Sequence, residues 1–156
     1  MKLPSQLKPE DLIAIVDTRE QNPLDLAPLQ AEVRGLTTGD YSLLGLEHVV
    51  RIERKSLTDL LSCIGQDRER FQREVDRLLA YPIRVLVIES SWPEIEIGDW
   101  RSRIKPSQAI GSLLGWQASG LSVHMCHDHE RAGRHVARFL CTVARRRYRE
   151  LRALLP

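Results

Sequence analysis

The chain has 156 residues, of which 42% are hydrophobic and 28% are charged, and its formal net charge is +2 at pH 7. This composition argues against a disordered chain, and we expect residues 1–156 to form a single domain with a real core. The sequence has no apolar run long enough to cross a bilayer and no apolar secretory signal near the N-terminus, so neither membrane association nor secretion is expected. The three cysteines are widely spaced and odd in number, which favours a reducing, intracellular setting.

Short apolar and β-branched runs, each followed by turn or polar residues, predict six strands. The predicted strands are Leu12 to Val16, Ala31 to Arg34, Tyr41 to Leu44, His48 to Arg54, Ile83 to Ile88 and Leu121 to Cys126. The stretch from Ser90 to Lys105 is irregular, and we expect a long surface loop with at most one short element.

Apolar residues three and four apart predict four helices. The predicted helices are Ser56 to Gly65, Asp67 to Ala80, Pro106 to Ser119 and a long helix that starts at Asp128. Strands come first and then alternate with helices. This order predicts an α/β domain with a mixed central sheet flanked by helices.

A carboxylate and a lysine stand two residues apart in the segment Ile52-Glu53-Arg54-Lys55. On a strand, Glu53 and Lys55 project to one face, while Ile52 and Arg54 project to the other. The carboxylate can hold a hard divalent cation, and the lysine can act on a phosphate as a point charge or help to deprotonate a water. The pair is thus a candidate for metal-dependent phosphodiester cleavage, although an isolated pair of this kind is more often an exposed ion pair.

Three further acids could converge on this pair. Asp17 and Glu20 end the first strand, and Asp40 lies in a Gly-Asp-Tyr turn one strand upstream. Four carboxylates packed together would repel and take up protons, unless Mg²⁺ or Mn²⁺ were bound among them. Taken singly, Asp40 is explained as a turn residue and Asp59 as a helix cap, so it is the conjunction of motifs that favours a metal site.

In chain order, these motifs resemble those of the XPF-type nuclease family, whose members cleave branched DNA near junctions of duplex and single strand. The family pattern is V-D-x-R-E, then G-D-Y, then E-R-K-x-x-x-D. Here it reads Val16-Asp17-Thr18-Arg19-Glu20, Gly39-Asp40-Tyr41 and Glu53-Arg54-Lys55-Ser56-Leu57-Thr58-Asp59. Further similarity in Arg70-Phe71, Leu86 to Glu89 and Leu113 to Gln117 extends the resemblance from Ile13 to Leu140.

The resemblance implies a restriction-endonuclease-like fold and a DNA endonuclease that uses Mg²⁺, with Mn²⁺ as a substitute. The implied metal ligands or near ligands are Asp17, Glu20, Asp40 and Glu53. Lys55 is implied as the catalytic lysine. Supporting roles in catalysis are implied for Arg54 and Asp59, and contact with the nucleic acid for Arg19 and Arg70.

Family members usually carry a tandem helix-hairpin-helix module after the nuclease domain, and 156 residues leave no room for it. Three alternatives are therefore open. A homodimer or a separate DNA-binding subunit would supply the grip on branched, flap or fork DNA, or the chain is an excised fragment of a longer protein. Two other functions also stay open. One is a non-catalytic DNA-binding or scaffold subunit of the same fold, and the other is a metal-dependent nuclease acting on RNA or plain duplex.

Three other patterns have both a functional and a plain interpretation. The arginine-rich last helix, including Arg145, Arg146 and Arg147, could bind phosphates or could be a solvated helix end. The histidines from His124 to His129 could bind zinc, but their spacing fits no known finger and also suits a strand end followed by a helix start. Trp100 and its neighbouring cations could stack on unpaired bases or pin the loop to the domain.

Overall fold

The structure, a computed structural model that describes residues 3–155, is a six-stranded sheet with helices on both faces. The strands are β1 (Ile13–Asp17), β2 (Gln30–Arg34), β3 (Tyr41–Leu43), β4 (Val50–Ser56), β5 (Ile83–Glu89) and β6 (Ser122–Met125). The helices are α1 (Leu57–Ile64), α2 (Arg68–Leu78), α3 (Trp92–Ile97), α4 (Pro106–Ala118) and α5 (His129–Arg152), with a short 3₁₀ turn at Pro9–Asp11.

This architecture confirms the predicted mixed α/β class, and the observed elements begin and end within two residues of the predicted ones. The main shift is in β4, which starts later and ends later than predicted because it pairs with β5 as far as Ser56 and Glu89. Lys55 therefore lies on the strand itself. The irregular stretch contains one short helix, α3, whose first turn is capped by the Ser91 hydroxyl accepting from the Glu94 N–H at 3.3 Å.

The strand order is β2-β1-β3-β4-β5-β6, and only β3 runs antiparallel to its neighbours. The other five strands therefore end at the same edge of the sheet, and β3 begins there. We call this side the carboxyl edge. It gathers the residues that follow β1, β4 and β5 together with the turn that precedes β3, which is how distant acids of the sequence come together.

Strand β5 divides the core into two layers. Val85 and Val87 pack in the cluster that includes α5, whereas Leu86 and Ile88 pack in the cluster that includes α1, α2 and α4. Residues paired in register share a face of the sheet, so Glu53, opposite Leu86, lies on the α1 side. The next residue of β4 lies on the α5 side.

Helix α5 is the longest, with 24 residues, and it packs one apolar stripe against the sheet while its arginines face outward. Ala132, Val136 and Leu140 of that stripe are fully buried. Across residues 3–155, no helix combines the length and the apolar character needed to cross a membrane.

Candidate active site

A groove of about 380 Å³ lies at the carboxyl edge. Its walls come from the ends of β1, β4 and β5, the turn before β3 and the first turn of α1. The lining residues are Arg19, Glu20, Gln21, Asn22, Asp40, Glu53, Arg54, Lys55, Ser56, Asp59 and Glu89. We call this space the carboxyl-edge groove, and it holds most of the residues that the motifs single out.

Two acids in the groove, Asp40 and Glu53, form what we call the carboxylate pair. Asp40 is held by its backbone, since its N–H donates to the Ile52 carbonyl at 2.7 Å. The Asp40 Oδ2 accepts from the Arg54 N–H at 2.8 Å. Glu53 is only 4% exposed, and its Oε1 lies 3.1 Å from the Lys55 Nζ. The alternation of β4 thus places Glu53 and Lys55 side by side.

With both acids ionised, the carboxylate pair would carry more negative charge than its surroundings neutralise, and the pair therefore tends to take up protons. Burial raises the pKa of Asp40 to about 6, and the nearby charge of Glu20 adds to that effect. Burial also raises the pKa of Glu53 to about 8, and repulsion by Asp40 adds to it. Lys55 attracts both acids, but one ammonium group does not offset burial and repulsion together. Elevated pKa values of this kind mark a place where a further cation would be favourable.

Lys55 itself keeps its proton. Burial lowers the pKa of Lys55, but Glu53, Cys63 and Asp40 together outweigh burial, and the net shift is upward. The ammonium nitrogen also lies 5.2 Å from the centroid of the Phe71 ring, a cation–π distance that fixes the side chain from a second direction. Lys55 therefore presents a localised positive charge to the groove.

A second group of residues, the arginine network, occupies the other wall of the groove. Arg54 donates to both Oε atoms of Glu20, at 2.7 and 3.0 Å, and to the Glu89 Oε1 at 2.7 Å. The Tyr41 hydroxyl donates to Glu20 at 2.9 Å, and the His129 Nδ1 lies 2.8 Å from Glu89. Burial alone would raise the pKa of Glu20, but the hydrogen bonds from Arg54 and Tyr41 lower it. The acids of this network are already neutralised within the fold.

Asp17 lies at the carboxyl edge but does not line the groove. Its Oδ1 accepts from the Leu36 N–H at 2.7 Å, and its Oδ2 accepts from the Arg19 Nε at 2.7 Å. Burial would raise the pKa of Asp17, but these hydrogen bonds outweigh burial and lower it. The carboxylate therefore braces the segment after β2, and Arg19 also donates to the Leu36 carbonyl at 2.9 Å.

Asp59 lines the groove together with the carboxylate pair, whereas Arg70 does not. Asp59 is exposed on the first turn of α1 at the groove, and its backbone N–H donates to the Ser56 hydroxyl at 3.2 Å, so the capping side chain is that of Ser56. Arg70 is on α2, outside the groove, with 74% of its side chain exposed and Asp67 at 3.5 Å.

The three arginines predicted to contact nucleic acid near the C-terminus also lie outside the groove. Arg145 donates to the Leu7 carbonyl at 3.1 Å, which ties α5 to the N-terminal segment. Arg146 and Arg147 lie 3.7 and 3.3 Å from Glu150 on the same helix.

The structure adds three residues to the site that the motif analysis did not single out individually. Glu89 ends β5 next to β4, and the rule that parallel strands end at one edge would have found it. Tyr41 was seen only as part of the turn motif. His129 comes from the start of α5, 40 residues beyond Glu89, and no local pattern signals that contact.

The histidine tract is a strand end and a helix start, as its plain interpretation predicts. His124 on β6 and His135 on α5 approach to 2.8 Å, and burial lowers the pKa of each. Residues 3–155 contain no group of three or more histidine, cysteine, aspartate or glutamate side chains arranged to hold a metal ion. Trp100 packs against the core cluster of α1, α2 and α4, which pins its loop to the domain, and its indole N–H donates to the Ile104 carbonyl of the same loop at 2.7 Å.

Comparisons with known proteins agree with the resemblance seen in the motifs. The family model described as ERCC4 domain matches residues 16–139. The fold is similar to XPF from Aeropyrum pernix, with a TM-score of 0.68 and 19% identity, over 91% of this chain and 69% of that chain. It is also similar to XPF from Aeropyrum pernix in complex with DNA, with a TM-score of 0.67 and 19% identity, over 85% of this chain and 64% of that chain. A search of curated proteins returned no match.

Proposed function

This chain belongs to the ERCC4 domain family, and from that premise we propose that it is a divalent-metal-dependent DNA endonuclease. The observation that carries the proposal is the carboxylate pair. Two acids with raised pKa values, Glu53 buried and Asp40 half-buried, share one lysine at the carboxyl edge of an α/β sheet. Two ionised acids beside one ammonium group are costly in a purely structural role, and this pattern supports a cation site next to a phosphate site.

The residues present fit a Mg²⁺ ion, with Mn²⁺ as a substitute. Mg²⁺ commonly takes only one or two protein carboxylates and completes its shell with waters and substrate phosphate, so a cage of three protein acids is not required. Asp40 and Glu53 would hold the ion. When bound, it would polarise the scissile phosphate and lower the pKa of an attacking water. Asp17 and Glu20 remain predicted ligands or near ligands. To bind the ion directly, each would have to give up its ion pair with an arginine.

Lys55 would stabilise the negative charge that develops on the phosphate as the bond is broken. Its raised pKa favours the role of a protonated point charge over that of a general base. Its position between the Glu53 carboxylate and the Phe71 ring holds that charge before the substrate arrives. A charge fixed in advance stabilises a transition state without reorganisation during the reaction.

The proposed substrate is DNA with a junction, such as a flap or a fork. The family resemblance and a fold similar to a protein solved in complex with DNA support this choice. The arginines at the end of α5 are proposed as a second DNA contact, and either a homodimer or a separate subunit would extend the grip. A nuclease of this kind would act inside the cell, where its DNA is.

Titration of Mg²⁺ and Mn²⁺ against labelled flap, fork and plain duplex DNA tests the proposal. We expect no cleavage in excess chelator, cleavage with either ion, and faster cleavage of flap or fork than of duplex. Binding without cutting on every substrate would favour a non-catalytic DNA-binding or scaffold subunit. A preference for RNA or plain duplex would instead favour a nuclease with a different substrate.

A further inference from the structure

A second cavity adjoins the carboxyl-edge groove and is larger than it. Its volume is about 680 Å³, and it lies between α1 and the loop at residues 98–105. Ser56 and Asp59 line the groove, and Thr58 lines the second cavity. The two spaces therefore adjoin along the first turn of one helix. We call the second space the loop cavity.

The loop cavity is lined by two arginines and by no acid. Arg101 and Arg103 are exposed, and within residues 3–155 neither guanidinium meets a carboxylate or another hydrogen-bond acceptor. Some other exposed arginines differ in this respect, although Arg73, Arg138 and Arg149 are exposed and likewise enter no ion pair among residues 3–155. Arg131 and Arg134, for example, are paired with acids at the start of α5. The two loop arginines are thus available for an anion from outside the chain.

The remaining wall of the loop cavity is largely apolar and fixed in place. Trp100 and Ile104 pack against the core cluster of α1, α2 and α4, and the indole N–H donates to the Ile104 carbonyl. The loop also sits tightly on the end of α1, because a Cβ on Gly65 would meet the Ile104 Cδ1 at 3.2 Å. Leu61 completes this wall. An ordered apolar surface beside free guanidinium groups is suited to a ligand with planar bases and phosphates.

From this geometry we infer that the loop cavity binds the unpaired strand of a forked or flapped DNA where that strand leaves the carboxyl-edge groove. The inference rests on the proposed function and adds to it which part of the substrate is held, and where. Arg101 and Arg103 bind the phosphates of the strand, and the wall formed by Trp100 and Leu61 receives a base. A duplex keeps its bases stacked inside, so it would leave the apolar wall uncovered.

Binding measured without cleavage tests this inference. Fluorescence anisotropy in chelator would compare a fork carrying a single-stranded arm of about ten nucleotides with a blunt duplex of the same sequence. We expect the double variant Arg101→Ala/Arg103→Ala to weaken fork binding by about tenfold and duplex binding by less than about twofold. The slope of fork affinity against salt should fall by about 1.4, because two single-strand phosphate contacts are lost.

A matched control removes the same charge elsewhere. Arg73→Ala/Arg77→Ala deletes two exposed arginines of α2 and should leave the preference for fork over duplex unchanged. A second variant keeps both loop arginines and guards against a loop that simply misfolds. Gln66→Glu places a carboxylate at an exposed position of the cavity and should also weaken fork binding selectively, whereas Gln117→Glu, exposed on α4, should not.

Equal losses for fork and duplex, or equal losses in the loop variant and its α2 control, would overturn the inference, because both indicate general charge attraction only. Tighter binding of an RNA arm, or of an acidic peptide, would also overturn it. The proposed catalysis fails separately. If the wild type cuts no DNA with Mg²⁺ or Mn²⁺ but binds forks through Arg101 and Arg103, the cavity assignment stands alone. If it cuts forks and the double variant binds them normally, only the cavity assignment falls.

Discussion

The arginine network and the carboxylate pair are neighbours in one groove, but their charges are compensated in opposite ways. In the network, Arg54 meets Glu20 and Glu89 at 2.7 Å, so each acid has a guanidinium partner. In the carboxylate pair, Asp40 and Glu53 share a single ammonium group, and burial raises the pKa of both. The comparison teaches that the number of acids in a groove does not locate a cation site. Under the proposed function, we expect the cation at the acids whose charge the fold leaves uncompensated.

The largest expected effects come from substitutions of the carboxylate pair and of its one ammonium group, Lys55. Lys55→Met keeps the length of the side chain but deletes its charge, and we expect single-turnover cleavage of fork DNA to slow by about 1,000-fold. DNA affinity in chelator should change little, since one positive charge among many is lost. Lys8→Met, on the exposed N-terminal segment, is the control and should cut at the wild-type rate.

If Lys55→Met cleaves within about tenfold of the wild-type rate, Lys55 takes no part in the chemical step.

The same cleavage assay on Asp40→Ala and Glu53→Ala extends the comparison to the acids. Each should abolish cleavage while leaving the fold and much of the DNA binding intact, as circular dichroism and anisotropy would show.

The arginine network should respond mainly in stability. Arg54→Met leaves Glu20 and Glu89 buried without their partner, and we expect the free energy of unfolding to fall by about 3–5 kcal/mol. Urea denaturation measures this. The control is Arg34→Met, whose ion pair with Glu32 is roughly half exposed on both sides and should cost under about 1 kcal/mol. Similar losses in the two variants would contradict the structural role of the network.

The sequence could predict the positions of the elements and the strand alternation that places Glu53 beside Lys55. Both follow from local periodicity and turn residues. The gathering of the acids follows only if β1, β3 and β4 are neighbours in the sheet, and that strand order was not predicted. Local periodicity does not predict which hydrogen-bond partners each acid has in the fold. Asp17 and Asp40 look alike in sequence, each an acid next to a strand, yet one accepts from the Leu36 amide and Arg19 and the other is left without a guanidinium partner.

Contacts between distant segments explain what the sequence could not show. The Leu36 N–H reaches Asp17 across 19 residues, and His129 reaches Glu89 across 40. Such contacts depend on how loops return to the sheet edge, and no period or motif encodes that return. The loop cavity could not be predicted for the same reason, since Arg101 and Arg103 line it only because the loop packs against α1.

A smaller effect is expected from pH in the absence of metal. Asp40 and Glu53 have pKa values in the folded chain that lie above their ordinary values of 3.8 and 4.5. The folded chain therefore binds more protons than the unfolded chain between about pH 4 and pH 8, and the free energy of unfolding falls as pH rises through that window. Thermal unfolding in chelator measures the fall.

Glu53→Gln should flatten this dependence and raise stability at pH 8 by roughly 2 kcal/mol, or about 5 °C in Tm. Mg²⁺ should raise the Tm of the wild type at pH 8 and have little effect at pH 5, where the acids hold protons. Glu32→Gln, exposed on β2, should behave as the wild type. An unchanged pH dependence in Glu53→Gln would contradict the uncompensated pair.

The smallest effect is expected at Asp17. The motifs predict it as a metal ligand or near ligand, whereas in the fold it is paired with Arg19. Asp17→Asn keeps an oxygen for the Leu36 N–H but weakens the bond with Arg19, and we expect a stability loss of about 1–2 kcal/mol. Its Mg²⁺ affinity, from the metal dependence of Tm or of cleavage, should stay within about threefold of wild type, whereas Asp40→Asn should lose most of it. A loss of affinity in Asp17→Asn as large as in Asp40→Asn would show that Asp17 releases Arg19 to reach the ion, and the division between compensated and uncompensated acids would then hold only for the metal-free state.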